Sequence, residues 1–129
     1  MLARLLPLLL LCACASAAHF PEIEQPELSQ LAKPYAQQLR AVGITRVVSA
    51  GSGAMVRLET LSGPVYIRYP HDVSPFAFVL EVDPEGLRAS SMSFDRVRDA
   101  RALAAILPAA IREAANNNSM QWLRANPWH

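Results

Sequence analysis

After a short acidic lead-in, hydrophobic and polar positions first repeat with a helical period. The apolar side chains recur at three- and four-residue spacing and so form one stripe of a helix. These residues are Leu28, Leu31, Tyr35, Leu39 and Val42. Gly43 is positioned to end the helix in a left-handed conformation, with Ile44 as the next apolar residue. Because Pro34 removes one backbone hydrogen bond, we expect a kink there or a helix that begins near it.

The middle of the chain changes to short segments that are rich in β-branched and aromatic residues and are separated by turn residues. These segments predict strands over residues 44–49, 54–61, 64–69, 76–83 and 87–92. In the fourth segment Phe78, Leu80 and Val82 alternate with Val79 and Glu81, which is the period of two that a strand shows. The connections are short, which favours antiparallel neighbours.

The last segment returns to the helical period. Its apolar arc contains Val97, Ala100, Leu103, Ala104, Leu107, Ala110, Ile111 and Ala114. Pro108 interrupts the segment without shifting its phase, so we expect one kinked helix or two nearly collinear ones. The three asparagines at 116–118 predict the end of this helix, and Ser119 is placed to cap a short final turn.

Strands bracketed by helices, without strand–helix alternation, predict an α+β fold. We expect an N-terminal helix, an antiparallel sheet of four to five strands and a long C-terminal helix packed on one face of the sheet. Residues 18–129 suffice for one small domain with a single core. Within it, residues 18–26 are an extended lead-in and residues 116–129 a tail.

The first seventeen residues match the pattern of a secretory signal peptide. Arg4 supplies the positive charge, an apolar run follows it, and small residues occupy positions 13–18. Small side chains suit cleavage after Ala17 or after Ala18. The apolar run is shorter than the roughly 20 residues of a membrane-spanning helix. We therefore expect export to the periplasm or secretion.

A second interpretation of the leader predicts a different cellular location for the protein. The four residues Leu11 to Cys14 resemble a bacterial lipobox, in which the cysteine becomes the lipidated first residue of the mature protein. Cys12 departs from that pattern, since a small residue without a thiol is usual there. Lipidation of Cys14 would anchor the protein to a bacterial membrane. Otherwise both cysteines are ordinary leader residues, and no membrane contact is expected.

Composition narrows the remaining possibilities. Both cysteines lie in the leader, so the mature chain has no thiol for a disulfide, a zinc site or catalysis. Small secreted eukaryotic domains usually depend on disulfides, so this composition favours a bacterial envelope. Without Arg4, eleven basic residues balance eleven acidic ones. Such a balance gives no electrostatic footprint for nucleic acid.

Reactive side chains are sparse. His71 and Asp72, with Ser74 nearby, suggest a hydrolase triad, but no nucleophile-elbow pattern accompanies them. We interpret these residues as a polar turn between strands. His19 and His129 stand far from His71 in the sequence, so we expect no metal site and no cofactor. The glycines at 51 and 53 lack the lysine and helix of a phosphate loop and predict a hairpin connection.

The strongest candidates for a partner contact are aromatic. Trp122 and Trp128 lie near the chain end, and tryptophan is over-represented among interface hot spots. The alternative is that they dock the tail over the sheet. The second candidate surface consists of Arg98, Arg101 and Arg112, although arginines interspersed with acids also mark a solvated helix face.

Taken together, these features predict a non-enzymatic binding or assembly module with an envelope protein as its partner. The first alternative is a carrier of a small apolar ligand, with a pocket between sheet and helix. Its lining would come from Phe76, Phe78, Tyr66 or Leu80. The second alternative is a hydrolase that uses His71.

Overall fold

An antiparallel sheet with helices on one face organises the chain. The computed structural model describes residues 22–50, 55–68, 77–92 and 94–127. The strands are β1 (Ile23–Glu24), β2 (Ile44–Ala50), β3 (Met55–Thr60), β4 (Gly63–Arg68), β5 (Ala77–Asp83) and β6 (Gly86–Ser91). The helices are α1 (Pro26–Ala32), α2 (Ala36–Ala41) and α3 (Arg96–Ala125). The α+β prediction is confirmed, with a short helical segment before the sheet and a long helix after it.

The sheet contains six strands among the described residues, in the order β1-β6-β5-β2-β3-β4, and each pairing is antiparallel. The expected number of four to five was therefore too low. The additional strand is β1, which lies in the predicted lead-in and pairs Ile23 with Ser91. Two residues are too few to show a period, so the sequence pattern could not reveal this strand.

The segment after β1 closes the edge of β6. The backbone N–H of Gln25 donates to the carbonyl of Ala89 at 2.7 Å. The backbone N–H of Ala89 donates to the Ser29 hydroxyl at 2.9 Å. The polar backbone groups of Ala89 are thus satisfied by the first turn of α1, which limits pairing with another strand at this position.

The N-terminal helix is interrupted where Pro34 predicted a kink. Residues Lys33–Tyr35 form a 3-10 turn between α1 and α2. Helix α2 ends at Ala41, and Gly43 just beyond its cap residue has a φ of +79°, the left-handed conformation expected there. The backbone N–H of Gly43 donates to the carbonyl of Arg40 at 3.0 Å, and that of Val42 donates to Gln38 at 3.2 Å. Both features of this prediction are confirmed.

One face of the sheet forms the core under the helices. The strand register places Leu58, Val47, Leu80 and Ala89 in one row across four strands, and all four are buried. A second row on the same face, two residues further along each strand, contains Val56, Ser49, Phe78 and Ser91. Helix α3 packs against β3 and β4, and α1 packs against β6 and α3. Apart from Val79, the buried apolar side chains of the described residues form one cluster.

The other face of the sheet, which we call the outer face, carries alternating charges. Glu59, Arg46, Glu81 and Arg88 follow one another across four strands. Arg88 pairs with Glu81 at 3.6 Å, and opposite charges on neighbouring strands stabilise a sheet modestly. Tyr66 projects from β4 on the same face and is 56% exposed.

Helix α3 is one continuous element that contains Pro108. Its buried side includes Ala102, Leu103, Ile106 and Leu107, whereas Val97 is 71% exposed. The predicted apolar arc was therefore rotated toward Val97 and Ala104, which face away from the core. Alanine contributes little contrast between faces, so the phase of an alanine-rich helix is poorly defined by hydrophobicity.

The prediction that the asparagines end this helix is wrong. Helix α3 runs through residues 116–118 and ends at Ala125. The side-chain amide of Asn118 donates to the carbonyl of Val42 at 3.1 Å, and this contact offsets the low helix propensity of asparagine. Ala114 is the last buried residue of α3, so its final turns (residues 115–125, the terminal arm) extend past the core. No helix within the described ranges is both long and apolar enough to cross a membrane.

Candidate partner-binding groove

The end of α2 joins three parts of the fold. The carbonyl of Val42 accepts the hydrogen bond from Asn118 of the terminal arm at 3.1 Å. The carbonyl of Gly43 accepts a hydrogen bond from the backbone N–H of Leu61 at 3.0 Å. These two carbonyls therefore hold the terminal arm and the β3–β4 turn in fixed positions beside α2.

The β3–β4 turn presents an apolar side chain to solvent. Leu61 is 84% exposed. The hydroxyl of Thr60 donates to the carbonyl of Gly63 at 2.6 Å and accepts from the backbone N–H of Ser62 at 3.2 Å. Leu61 is thus held by a hydrogen-bonded turn, and its side chain lies beside Gly43.

Trp122 projects from the terminal arm and is 52% exposed. Together with Asn118 and Gln121 it forms one wall of a surface groove of about 450 Å³. The end of α2 and the turn carrying Leu61 form the rest of the groove. Two large apolar side chains, one from the turn and one from the arm, therefore border the same concave surface.

Arg40 is the charged residue that borders this groove. Among the described residues that line it, Arg40 is the sole ionised side chain. Its Nη1 donates to the carbonyl of Asp83 at 3.1 Å. Because β5 and β3 lie on opposite sides of β2, this hydrogen bond directs the guanidinium toward β5 and away from the β3–β4 turn. Arg40 also borders a neighbouring surface cavity of about 480 Å³, which Lys33 and Glu85 line as well.

The arginines predicted as a second contact surface lie elsewhere. Arg98, Arg101 and Arg112 are exposed and fall on one side of α3 at 100° per residue. Arg98 precedes Trp122 by about 36 Å along the helix axis, given a rise of 1.5 Å per residue. It also pairs with Asp99 at 3.3 Å. Arg112 is nearer to Trp122, at about 15 Å along the axis, but none of the three arginines lines the groove beside Trp122.

Several predicted sites lie outside the described residues. These are the signal peptide at 1–17 with Cys14, Ala17 and Ala18, the loop at 51–53, the cluster of His71, Asp72 and Ser74, and Trp128. The terminal histidines 19 and 129 also lie outside them. Within the ranges that are described, no three His, Cys, Asp or Glu side chains are grouped as a metal site would require.

The side chains named for an apolar-ligand pocket do not lie together. Phe78 and Leu80 are fully buried in the core. Tyr66 pairs with Arg57 on the outer face, so its ring is on the opposite side of the sheet. Phe76 lies outside the described residues.

The sequence pattern predicted Trp122 as a contact residue but did not predict Leu61 or Arg40, which line the same groove. Leu61 carried one usable signal, which is a large apolar residue within a turn. Arg40 carried none, because an arginine on an exposed helix position is unremarkable in sequence. Comparison with protein-family models, with curated proteins and with solved structures finds no match to this chain.

Proposed function

We propose that this chain is a non-enzymatic binding module of the bacterial envelope that contacts a protein partner through the groove beside Trp122. The observation that carries the proposal is the exposure of Trp122 and Leu61 around one concave surface. Exposed apolar side chains rimmed by polar groups are typical of interaction sites.

The hydrogen bonds around the groove support this function energetically. The backbone N–H of Leu61 and the side chain of Asn118 are both held by carbonyls at the end of α2. A site whose parts are already ordered loses less conformational entropy when a partner binds. Burial of Trp122 in an interface then contributes a large apolar area, as is common for hot-spot residues.

The compartment follows from the leader. A signal peptide over residues 1–17 directs the chain to the periplasm or to secretion, where the cysteine-free mature domain needs no disulfide. Lipidation of Cys14 would instead anchor the chain to a membrane through a lipid on that residue, and the groove would then lie near the membrane surface.

A native mass spectrum of the protein purified from its own cell envelope tests this function. We expect the wild-type chain to retain a stoichiometric protein partner and the Trp122→Ala variant to lose it. Trp122 is half exposed, so this variant should keep the fold, which thermal melting checks. Tyr66→Ala is the matched control, because Tyr66 is similarly exposed but lies on the outer face.

The same spectrum gives the mass of the mature N-terminus and therefore reports cleavage and any lipid on Cys14. A bare wild-type monomer would contradict the proposed function. Retention of the partner by the Trp122→Ala variant would show that the contact lies on another surface.

A further inference from the structure

We propose that two copies of this chain associate by pairing their β4 strands antiparallel, so that the two sheets continue into one. This inference goes beyond the proposed function, because the residues of β4 do not line the groove. Among the described residues, β4 ends the strand order and has a paired strand on one side only. Its other side, which we call the open edge, offers backbone groups to another strand.

The β3–β4 turn determines which backbone groups of β4 point outward. Thr60 pairs with Gly63 across a turn of two residues, so these two residues exchange the hydrogen bonds that close the hairpin. The direction of bonding alternates along a strand, so Pro64, Tyr66 and Arg68 point their backbone groups away from β3. Pro64 fits this alternation, because it has no N–H to donate. The open edge therefore presents the N–H groups of Tyr66 and Arg68 and the carbonyls of all three residues.

These groups complement those of a second copy when Tyr66 faces its own counterpart. Around a two-fold axis at that position, each Tyr66 N–H donates to the carbonyl of the other Tyr66. Each Arg68 N–H then donates to the Pro64 carbonyl of the other copy. Every N–H donor of the open edge thus gains an acceptor, and the N–H that Pro64 lacks removes only one hydrogen bond in each copy.

Charges on the outer face favour this alignment. Arg68 of one copy lies opposite Pro64 of the other, and Pro64 is paired with Glu59 on β3. The guanidinium therefore reaches over the proline ring toward a carboxylate. The ion pairs formed between described residues do not include Arg68. Sliding one strand until Arg68 faces Tyr66 would instead align it with Arg57, and like charges on neighbouring strands destabilise a sheet.

The side chains of β4 leave the open edge accessible. Pro64 and Tyr66 are exposed, and the apolar Val65 on the inner face is only half-buried. In the proposed alignment the two Tyr66 rings are neighbours on the outer face, and Val65 lies opposite Ile67 on the inner face. Aromatic and β-branched cross-strand pairs stabilise a sheet. A second copy thus supplies the hydrogen bonds, the apolar contacts and the acid that complement this edge.

Sedimentation velocity over a range of concentrations tests the pairing on the protein purified from its envelope. We expect a monomer–dimer equilibrium, because one short strand per copy buries less area than a permanent interface. Tyr66→Pro removes the outward N–H but no hydrogen bond to β3, and it should abolish the dimer. Tyr66→Ala keeps that N–H and should weaken association less. Thermal melting checks that both variants remain folded.

An exchange of charges tests the alignment without changing the backbone. Arg68→Glu places an acid against Glu59 of the other copy and should weaken the dimer by about tenfold, because a surface attraction becomes a repulsion. Adding Glu59→Arg to Arg68→Glu restores opposite charges and should recover most of the affinity. Arg88→Glu is the matched control, because Arg88 lies on β6, at the far end of the same row of charges, and should leave association unchanged.

A monomer at every concentration, or a dimer that Arg68→Glu and a folded Tyr66→Pro leave intact, would overturn the inference. A dimer that is lost in Trp122→Ala would also overturn it, because self-association would then occur at the groove. A photoreactive amino acid at position 66 should join two copies into an adduct of twice the chain mass, with or without Trp122. That mass distinguishes the adduct from one formed with another protein at the groove.

Discussion

Two residues at the end of α2 determine how the groove is built. Gly43 adopts a φ of +79°, and its carbonyl then accepts the backbone N–H of Leu61. A residue with a Cβ is strained by about 1–2 kcal/mol in this conformation. Val42 directs its carbonyl to Asn118. A single backbone reversal thus positions both the turn and the terminal arm.

Replacing Asn118 by alanine measures the contribution of its hydrogen bond. Alanine raises helix propensity at any position of α3, so Asn116→Ala, which changes an exposed asparagine, is the reference. We expect Asn118→Ala to be less stable than Asn116→Ala by about 1 kcal/mol, the typical value of one hydrogen bond. Urea unfolding of both variants gives the difference. Equal stabilities would show that Asn118 does not hold the arm.

At the scale of elements, the strands β2 to β6 were predicted to within two residues because β-branched residues and turns mark them locally, whereas the two-residue strand β1 was not predicted. The helical termini were predicted less well. Asn118 and Val42 are separated by 76 residues, and no local pattern reports such a contact, so the asparagines were misinterpreted as a helix end. The groove likewise forms from residues that are far apart in the sequence. Trp122 was therefore predicted from its residue type, but Arg40 and Leu61 were not.

The start of α3 depends on a buried carboxylate. Asp95 caps the helix by accepting the backbone N–H of Arg98 at 2.9 Å. Asp99 is fully buried and accepts the backbone N–H of Asp95 at 2.7 Å. The two acids therefore satisfy backbone donors reciprocally, in the manner of a capping box.

We expect Asp99→Ala to reduce the free energy of unfolding by about 2 kcal/mol, because the N–H of Asp95 loses its acceptor in a partly buried position. Asp99→Asn retains an acceptor oxygen and should lose less. Glu113→Ala, which removes an exposed acid of the same helix, should change stability by no more than about 0.5 kcal/mol. Chemical denaturation compares the three. A loss for Asp99→Ala no larger than that for Glu113→Ala would contradict the capping role.

At the scale of the whole molecule, the described surfaces differ in what they offer a partner. The outer face carries a row of alternating charges in which Arg88 pairs with Glu81, and Glu59 of that row pairs with Arg57 of its own strand. The groove instead combines two exposed apolar side chains, Leu61 and Trp122, with polar groups of α2 and the terminal arm. Across the whole chain the charges nearly cancel, with a formal net charge of +1. Long-range electrostatic attraction to a partner is therefore weak, and selectivity for a partner depends on local contacts.

Site-specific photo-crosslinking in the cells that produce the chain tests most directly whether the groove is the contact surface. A photoreactive amino acid at Leu61 samples the groove, and the same amino acid at Tyr66 samples the outer face. We expect one discrete protein adduct from position 61 that disappears when Trp122→Ala is added, and no such adduct from position 66. An adduct with another protein from position 66 alone, or one from position 61 that persists without Trp122, would contradict this expectation.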